Sequence, residues 1–448
     1  MNRILVDVTQ LVHWPGMLAG IPRVMNELGT RFYNQRDQEV VFVSWVKELR
    51  CYCEIDFAKT MANRGTQIFY VKKGEPTPAR DTKMVSATVA IKGPAGGGAQ
   101  RLSSRQLLKR TARFGLAGVR RVSGRAATFI EGNAKKLRLA AYKRASFERG
   151  DKIFISWGEW WDDNFIAMLK NAHKEAAVDI VQVIHDLGPI TTPQFSSHST
   201  VSLTKYCHEV VPICSLILVV SKHAKQELET WLKQQKYTAP PIRVFRNGDD
   251  FAFAEARKPD EVAFKNSGLK GGDFVLAHGT VEIRKNHMLY YYVYKLAKRR
   301  GISLPKLLIS GRLGWNTEPV VELITKDPDV KDDILFLNAV SDEELSWLFD
   351  NALFSMYVSF YEGWGVPVAE SLARGTPCIT SNVGSMLEIA DGIVYYSSPA
   401  SSDELLAQMQ HLLKPSNLTV ARERTKKYRQ TSWDDSFKQI DNYIKEMK

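Results

Sequence analysis

Five cysteines in 448 residues are an odd count, without zinc-type spacing, and do not make a disulfide framework. Cys51 and Cys53 are separated by a single residue, unlike the ligand pairs of structural zinc sites. Cys207, Cys214 and Cys378 stand in apolar surroundings and read as small core residues. This usage indicates a reducing, cytoplasmic setting. Long apolar runs are also missing. The longest, Val210 to Val220, is 11 residues, contains Pro212 and is too short to span a bilayer. Met1-Asn2-Arg3 leads straight into a short strand, with no signal-peptide pattern. Internal repeats, heptad runs and metal-ligand clusters are lacking; Asp162-Asp163 has no His or third acid to complete a ligand set. Net charge is scarce outside one place. Between Ala99 and Gly150 fourteen Lys/Arg face only Glu131 and Glu148, so this segment carries the whole net charge of +12. The remainder is near neutral and ordinary in composition, and its length suits two or three domains.

What the chain does contain is a repeated unit of buried strand, glycine loop and helix. Arg3 to Val8 is the first strand, its loop runs from Thr9 to Gly20, and Ile21-Pro22-Arg23-Val24 opens a helix through Phe32. Glu39 to Trp45 and Gln67 to Val71 read as further strands. After Lys72-Lys73-Gly74 the pattern dissolves among Pro76, Pro78, Pro94 and Gly96-Gly97-Gly98. The basic segment follows, interleaved with Leu102, Leu107, Leu108, Phe114, Leu116, Val119 and Val122. It fits a solvated insertion, or a basic amphipathic element on an anionic membrane surface. Nucleic acid is disfavoured, because the interleaved residues are mostly aliphatic rather than stacking aromatics. Strands resume at Lys152 to Ser156, Asp179 to Ile184, Ser215 to Val220 and Ile242 onward. His185-Asp186 sits at the C-terminal end of its strand, the edge where open α/β sheets bind ligands.

The most informative stretch is Ser359-Phe360-Tyr361-Glu362-Gly363-Trp364-Gly365-Val366-Pro367-Val368-Ala369-Glu370. An apolar run, Leu353 to Val358, precedes it. Two glycines make a tight loop, and Pro367 stands where a helix begins. That helix should run to about Arg374, where Gly375-Thr376-Pro377 stops it. Backbone N–H groups and a helix N-terminus then converge at the sheet's mouth, a ready site for phosphate. Glu362 and Glu370 would repel phosphate, so they suit neutral hydroxyls beside it, such as those of a sugar. A second such unit is Phe274 to Gly279, then Thr280-Val281-Glu282-Ile283-Arg284-Lys285-Asn286-His287 and a helix from Met288. Cations disfavour a helix start unless an anion is present, and adjacent Arg284 and Lys285 suit a diphosphate. Further on, Ser341 and Glu344 have the spacing of a capping box.

These motifs resemble the retaining glycosyltransferases of family 4. The paired glutamates around Gly-Trp-Gly-Val-Pro-Val carry the resemblance, with Ala373-Arg374-Gly375-Thr376-Pro377-Cys378-Ile379-Thr380-Ser381-Asn382. It covers most of residues 150 to 400 and is strongest from 270 to 390. It implies the α/β GT-B architecture, two doubly wound Rossmann-like domains facing across a cleft. Residues 1–250 would form the acceptor-side domain, with the basic insertion at about 75–150. Residues 251–425 would bind the nucleotide sugar, and 426–448 would be a helix crossing back to the first domain. The resemblance implies transfer of a hexose from a nucleotide-diphosphate sugar, GDP-mannose first, to a glycan or lipid-linked acceptor. Configuration would be retained by a front-face route, with no metal or cofactor. The setting would be lipopolysaccharide, O-antigen or other cell-surface polysaccharide synthesis, on the inner face of the plasma membrane.

By the same resemblance, Glu362 holds the donor sugar, Glu370 the ribose and Lys285 the diphosphate. Arg284 would replace an Arg that many members carry where this chain has Thr280. His185, with Asp186 beside it, would stand next to the donor sugar. Gly363, Trp364, Gly365 and Val366 form the phosphate loop, and Val340 contacts the base through its backbone. Gly16, Gly20 and Arg23 belong to an N-terminal loop that closes over the diphosphate. The Trp157, Trp160 and Trp161 cluster either caps the core or forms a platform for a sugar or lipid acceptor. Two other readings stay open: a nucleotide-sugar hydrolase or epimerase of the same fold, and a catalytically dead basic adaptor for membrane or nucleic acid.

Overall fold

The computed structural model describes residues 3–14, 20–35, 37–64, 67–78, 139–196, 199–250, 256–259, 264, 268–338 and 340–447. Gly16 and residues 79–138, which include most of the basic segment, lie outside the described residues. The chain forms two compact units, Met1–Ile153 with Lys174–Val178, and Phe154–His173 with Asp179–Lys448.

In the first unit β1 (Ile4–Asp7) runs parallel to β2 (Val40–Val46), and every residue of both is buried. Such unbroken apolar runs are what a parallel strand covered on both faces requires. The helix Ile21–Asn34 starts from Gly20 at φ 58°, with Pro22 in its first turn where a missing N–H costs nothing. The strand expected at Gln67–Val71 is reduced to a bridge between Ile55 and Tyr70. Its place is taken by β3 (Cys51–Glu54), antiparallel to β2 with Val46 opposite Cys51. The turn Lys47–Arg50, with Arg50 at φ 49°, returns the chain at once. A locally closed hairpin wins over a more distant partner, because closing a short loop costs less entropy.

β4 (Lys152–Ile155) leads into the second unit. There β5 (Asp179–Ile184), β6 (Leu216–Val219) and β7 (Ile242–Val244) pair in parallel. A second, wholly parallel sheet follows. It is built from β8 (Phe274–His278), β9 (Lys306–Ser310), β10 (Ile334–Leu337), β11 (Ser355–Tyr357), β12 (Cys378–Ser381) and β13 (Tyr395–Ser397). Their order is β10-β9-β8-β11-β12-β13. Strands therefore step one way from β8 to β10 and the other way from β11 to β13. The gap between the C-terminal ends of β8 and β11 is the switch point at which this topology opens a crevice for ligands.

Alternate residues of β8 serve two cores, as a period of two demands. Val275 and Ala277 pack with Leu289, Tyr290 and Val293 of the helix His287–Arg299, and with Leu405 and Met409 of Ser402–Leu412. Phe274 and Leu276 pack with Leu345, Leu348 and Phe349 of Asp342–Asn351. Each such side chain contributes about 1.5–3 kcal/mol by leaving water. Ser341 and Glu344 form the expected capping box at the start of that last helix. The stretch after Ser401 is helical at Ser402–Leu412, Pro415–Thr425 and Trp433–Lys445. Among the described residues, no helix is long and apolar enough to cross a membrane.

Candidate active site

The loop after β8 carries the cations. Ile283–Lys285 is a single 3-10 turn, followed by Asn286 in the left-handed region at φ 60°. Asn tolerates that conformation better than most residues. Its side-chain amide donates to Val358 O at 3.1 Å and Pro399 O at 2.8 Å, which pins the loop to the end of β11. Gly279 sits at φ +128°, and a Cβ there would lie 2.9 Å from Lys285 Nζ. The bare backbone leaves room for the ammonium over the strand end. Lys285 Nζ donates to Tyr357 Oη at 2.9 Å.

The loop after β11 carries the carboxylate. Tyr357 Oη donates to Glu362 Oε1 at 2.7 Å, and Ser359 Oγ donates to the same oxygen at 3.0 Å. Glu362 Oε2 pairs with Arg284 Nη1 at 2.6 Å. Arg284 Nη1 also donates to Tyr361 O at 2.6 Å, and Nη2 to Glu282 Oε1 at 2.5 Å. An ordered chain thus crosses the switch point: Lys285, Tyr357, Glu362, Arg284, Glu282. Burial alone would raise the Glu362 pKa; the pull of Arg284 and then Lys285 outweighs it and holds the carboxyl below its ordinary range. Burial and the Glu362 charge together push the Tyr357 phenol well up, so it remains a proton donor. Arg284 has both terminal nitrogens on protein oxygens, so its geometry is that of a brace for Glu362.

His185 and Asp186 meet this loop from β5. A Cβ on Gly363 would lie 2.3 Å from His185 O and 3.0 Å from Asp186 Cβ, so only glycine permits the approach. His185 Nε2 lies 2.9 Å from Ser156 O. A carbonyl only accepts, so Nε2 carries the proton and Nδ1 is the acceptor of the neutral ring. Burial lowers the His185 pKa to about 4, which keeps it neutral at pH 7. Asp186 accepts from Gly188 N at 2.9 Å, and burial raises its pKa against the opposing pull of Arg284. Tyr361 locks the same corner: Leu187 N donates to its Oη at 3.2 Å, and Oη donates to Glu227 Oε2 at 2.5 Å.

The helix Val366–Ala373 begins from Gly365 at φ 107°, with Pro367 in its first turn. It buries Glu370, 4% exposed, whose Oε2 lies 3.7 Å from His278 Nε2. Trp364 is buried with its ring against Arg246, 5.5 Å from the guanidinium carbon, so the loop presents its backbone here. Val366 is half-buried at the helix start. The Val340 side chain belongs to the core beside Leu337 and Leu345, leaving its backbone for any ligand contact. Gly20 and Arg23 lie in the first unit at the start of the helix Ile21–Asn34. Sequence reasoning missed Tyr357, Ser359, Glu282 and Asn286. For Asn286 a signal existed, an Asn directly before a helix, where left-handed backbone is common.

Solved structures that span almost the whole chain share its α/β fold with two Rossmann-like halves. Anabaena HepE, crystallised with UDP and glucose, superposes with a TM-score of 0.59 at 14% identity, covering 99% of this chain and 100% of that one. Sucrose-phosphate synthase from Thermosynechococcus elongatus does so with a TM-score of 0.59 at 15% identity, covering 99% and 98%. Both are neighbours in the GT-B fold. Residues 260–431 match the family described as "Glycosyl transferases group 1". It is 28% identical over 270 residues to O-antigen chain mannosyltransferase B of Escherichia coli, covering 59% of this chain and 70% of the relative. It is 23% identical over 230 residues to the serotype-specific mannosyltransferase WbdA of the same species, covering 49% of this chain. That match spans only 28% of the longer relative.

Proposed function

We propose that the protein transfers mannose from GDP-mannose, with retention, to a hydroxyl of a growing cell-surface glycan or lipid-linked acceptor. The observation that carries this is the hydrogen-bonded chain from Lys285 through Tyr357 to Glu362 and Arg284, set at the switch point beside a helix N-terminus. Lys285 and the N–H groups of the Gly363–Val366 loop supply positive potential where the leaving diphosphate gains charge. Glu362, braced by Arg284, orients the sugar hydroxyls, and Glu370 binds the ribose. His185, neutral, offers Nδ1 as an acceptor to a sugar hydroxyl and helps to fix the reacting centre. The leaving phosphate oxygen takes the acceptor proton as the new glycosidic bond forms on the same face. Lys285 and the backbone N–H groups fill the role that a divalent metal plays elsewhere. The mannosyltransferase names of the curated relatives support the choice of donor and of O-antigen-type products. We further propose that the basic segment holds the enzyme on the anionic inner leaflet, near lipid-linked acceptors.

A thermal-shift series against GDP, UDP, dTDP and ADP tests the donor assignment. Ligand at a hundredfold its dissociation constant stabilises by about 2.7 kcal/mol. GDP should raise the melting temperature most. A larger shift with UDP would move the donor to the UDP-hexoses, and none with any nucleotide would refute the proposed function.

A further inference from the structure

Directly after β4 the chain exposes three indoles. Gly158 turns it at φ +85°, and a Cβ there would lie 3.0 Å from Ile155 and 3.4 Å from Phe165, so the turn hugs the core. That core is already closed without the indoles: Phe154, Ile155, Phe165, Ile166 and Leu169 are each at most 2% exposed. Trp157 and Trp160 remain half-buried and Trp161 is 44% exposed. Leaving such area in water is unfavourable and marks a contact surface. The rings form a row. Trp161 meets Trp160 at 4.9 Å edge to face, Trp160 meets Trp157 at 6.1 Å edge to face, and Trp157 meets the His185 imidazole at 5.9 Å. The row therefore leads from solvent to the residue whose backbone touches the Gly363 loop.

We propose that Trp157, Trp160 and Trp161 form the acceptor subsite, which takes a neutral hexopyranose of the acceptor glycan. This inference rests on the glycosyltransferase reading and adds to it where the second substrate sits. The donor side of the reaction already has its partners in Lys285, Glu362 and Glu370. The incoming hydroxyl needs a surface of its own that ends at His185. Indoles suit a sugar because the C–H face of a pyranose packs on the ring while each Nε1–H donates to a hydroxyl. Successive rings inclined at 80° and 68° make notches instead of one flat apolar face, which favours a compact ring over a lipid chain.

The test compares wild type, Trp161→Ala, Trp160→Ala and Trp161→Phe, with GDP-mannose and octyl α-D-mannopyranoside, varying each substrate in turn. Truncating either tryptophan should raise the acceptor KM about tenfold, the size of one lost aromatic contact, and move the donor KM less than twofold. Trp161→Phe should recover most of the loss, which separates stacking from damage to the fold. Equal acceptor KM values in wild type and both alanine variants would overturn the subsite while leaving the function intact. Loss of binding to anionic vesicles in the alanine variants, with acceptor KM unmoved, would reassign the row to a membrane. A wild type inactive with GDP-, UDP- and dTDP-hexoses alike would instead sink the function on which the subsite rests.

Discussion

Tyr357→Phe removes one oxygen from the middle of the site and little else. Its hydroxyl accepts from Lys285 Nζ at 2.9 Å and donates to Glu362 Oε1 at 2.7 Å. Hydrogen bonds to charged groups are each worth about 1.5–3 kcal/mol. The two losses do not simply add. Glu362 keeps Ser359 at 3.0 Å and Arg284 at 2.6 Å, and the half-buried Lys285 regains water. About one bond's worth, ~2 kcal/mol, should therefore be lost. For cooperative units of this size that is a fall of about 4–8 °C in melting temperature. Expressed in the transition state it is about a thirtyfold loss in kcat/KM. Scanning calorimetry and initial rates at saturating acceptor would measure both. A double-mutant cycle with Glu362→Gln should show coupling of at least about 0.5 kcal/mol, because the two side chains share a bond. Strict additivity, or a variant within twofold of wild type in kcat/KM, would refute the reasoning that this hydroxyl links cation and carboxylate.

Glu370→Ala should raise the donor KM strongly, whereas Glu362→Ala should lower kcat by displacing the reacting sugar; wild-type kinetics in both would end the assignment of the pair. His185 titrates at about 4 in the fold against an ordinary value of about 6.5, so the unfolded chain binds more protons between them. Stability from this group is full above about pH 6.5 and falls, by on the order of 3 kcal/mol, as the pH drops to about 4. His287, lowered to about 3 by burial, acts in the same direction. Urea midpoints from pH 4 to 7 should flatten in part in His185→Asn, and an unchanged slope would contradict a neutral buried imidazole. Charge-neutral substitutions at Arg101, Arg105, Lys109, Arg110 and Arg113 should weaken flotation with anionic liposomes at low salt and leave transfer to a soluble acceptor analogue largely intact. Each cation near such a surface is worth about 1 kcal/mol, screened at high salt. A protein that ignores anionic liposomes at low salt would remove the membrane proposal.

Local features of this fold were legible in the sequence, and contacts that depend on sheet order were not. Gly363, Gly365, Pro367 and Gly375 punctuate one strand, loop and helix, and the chemistry of punctuation lies within a few residues. The Ser341–Glu344 capping box was readable for the same reason. The Lys285–Tyr357 bond joins residues 72 positions apart, and Arg284 reaches Tyr361 O across 77. Such contacts exist because β8 lies beside β11, and apolar periodicity within a strand does not state its neighbours. Tyr357 itself read as part of a buried strand, which it is; its hydroxyl meets Lys285 and Glu362 because β11 ends at the switch point. The exchange of Gln67–Val71 for Cys51–Glu54 has a related cause, since short strands of mixed polarity acquire their identity from their partners.

The most direct measurement follows radiolabelled GDP-mannose, with and without an α-mannoside acceptor, in EDTA, for wild type and Lys285→Ala. Wild type should move label into the acceptor in the α configuration despite the chelator. Lys285→Ala should be slower by a factor of about 10²–10³, the cost of removing one preorganised electrostatic contact to the developing charge. Label that appears as free mannose whether or not acceptor is present, or a Lys285→Ala variant that transfers at the wild-type rate, would contradict sugar transfer at this site.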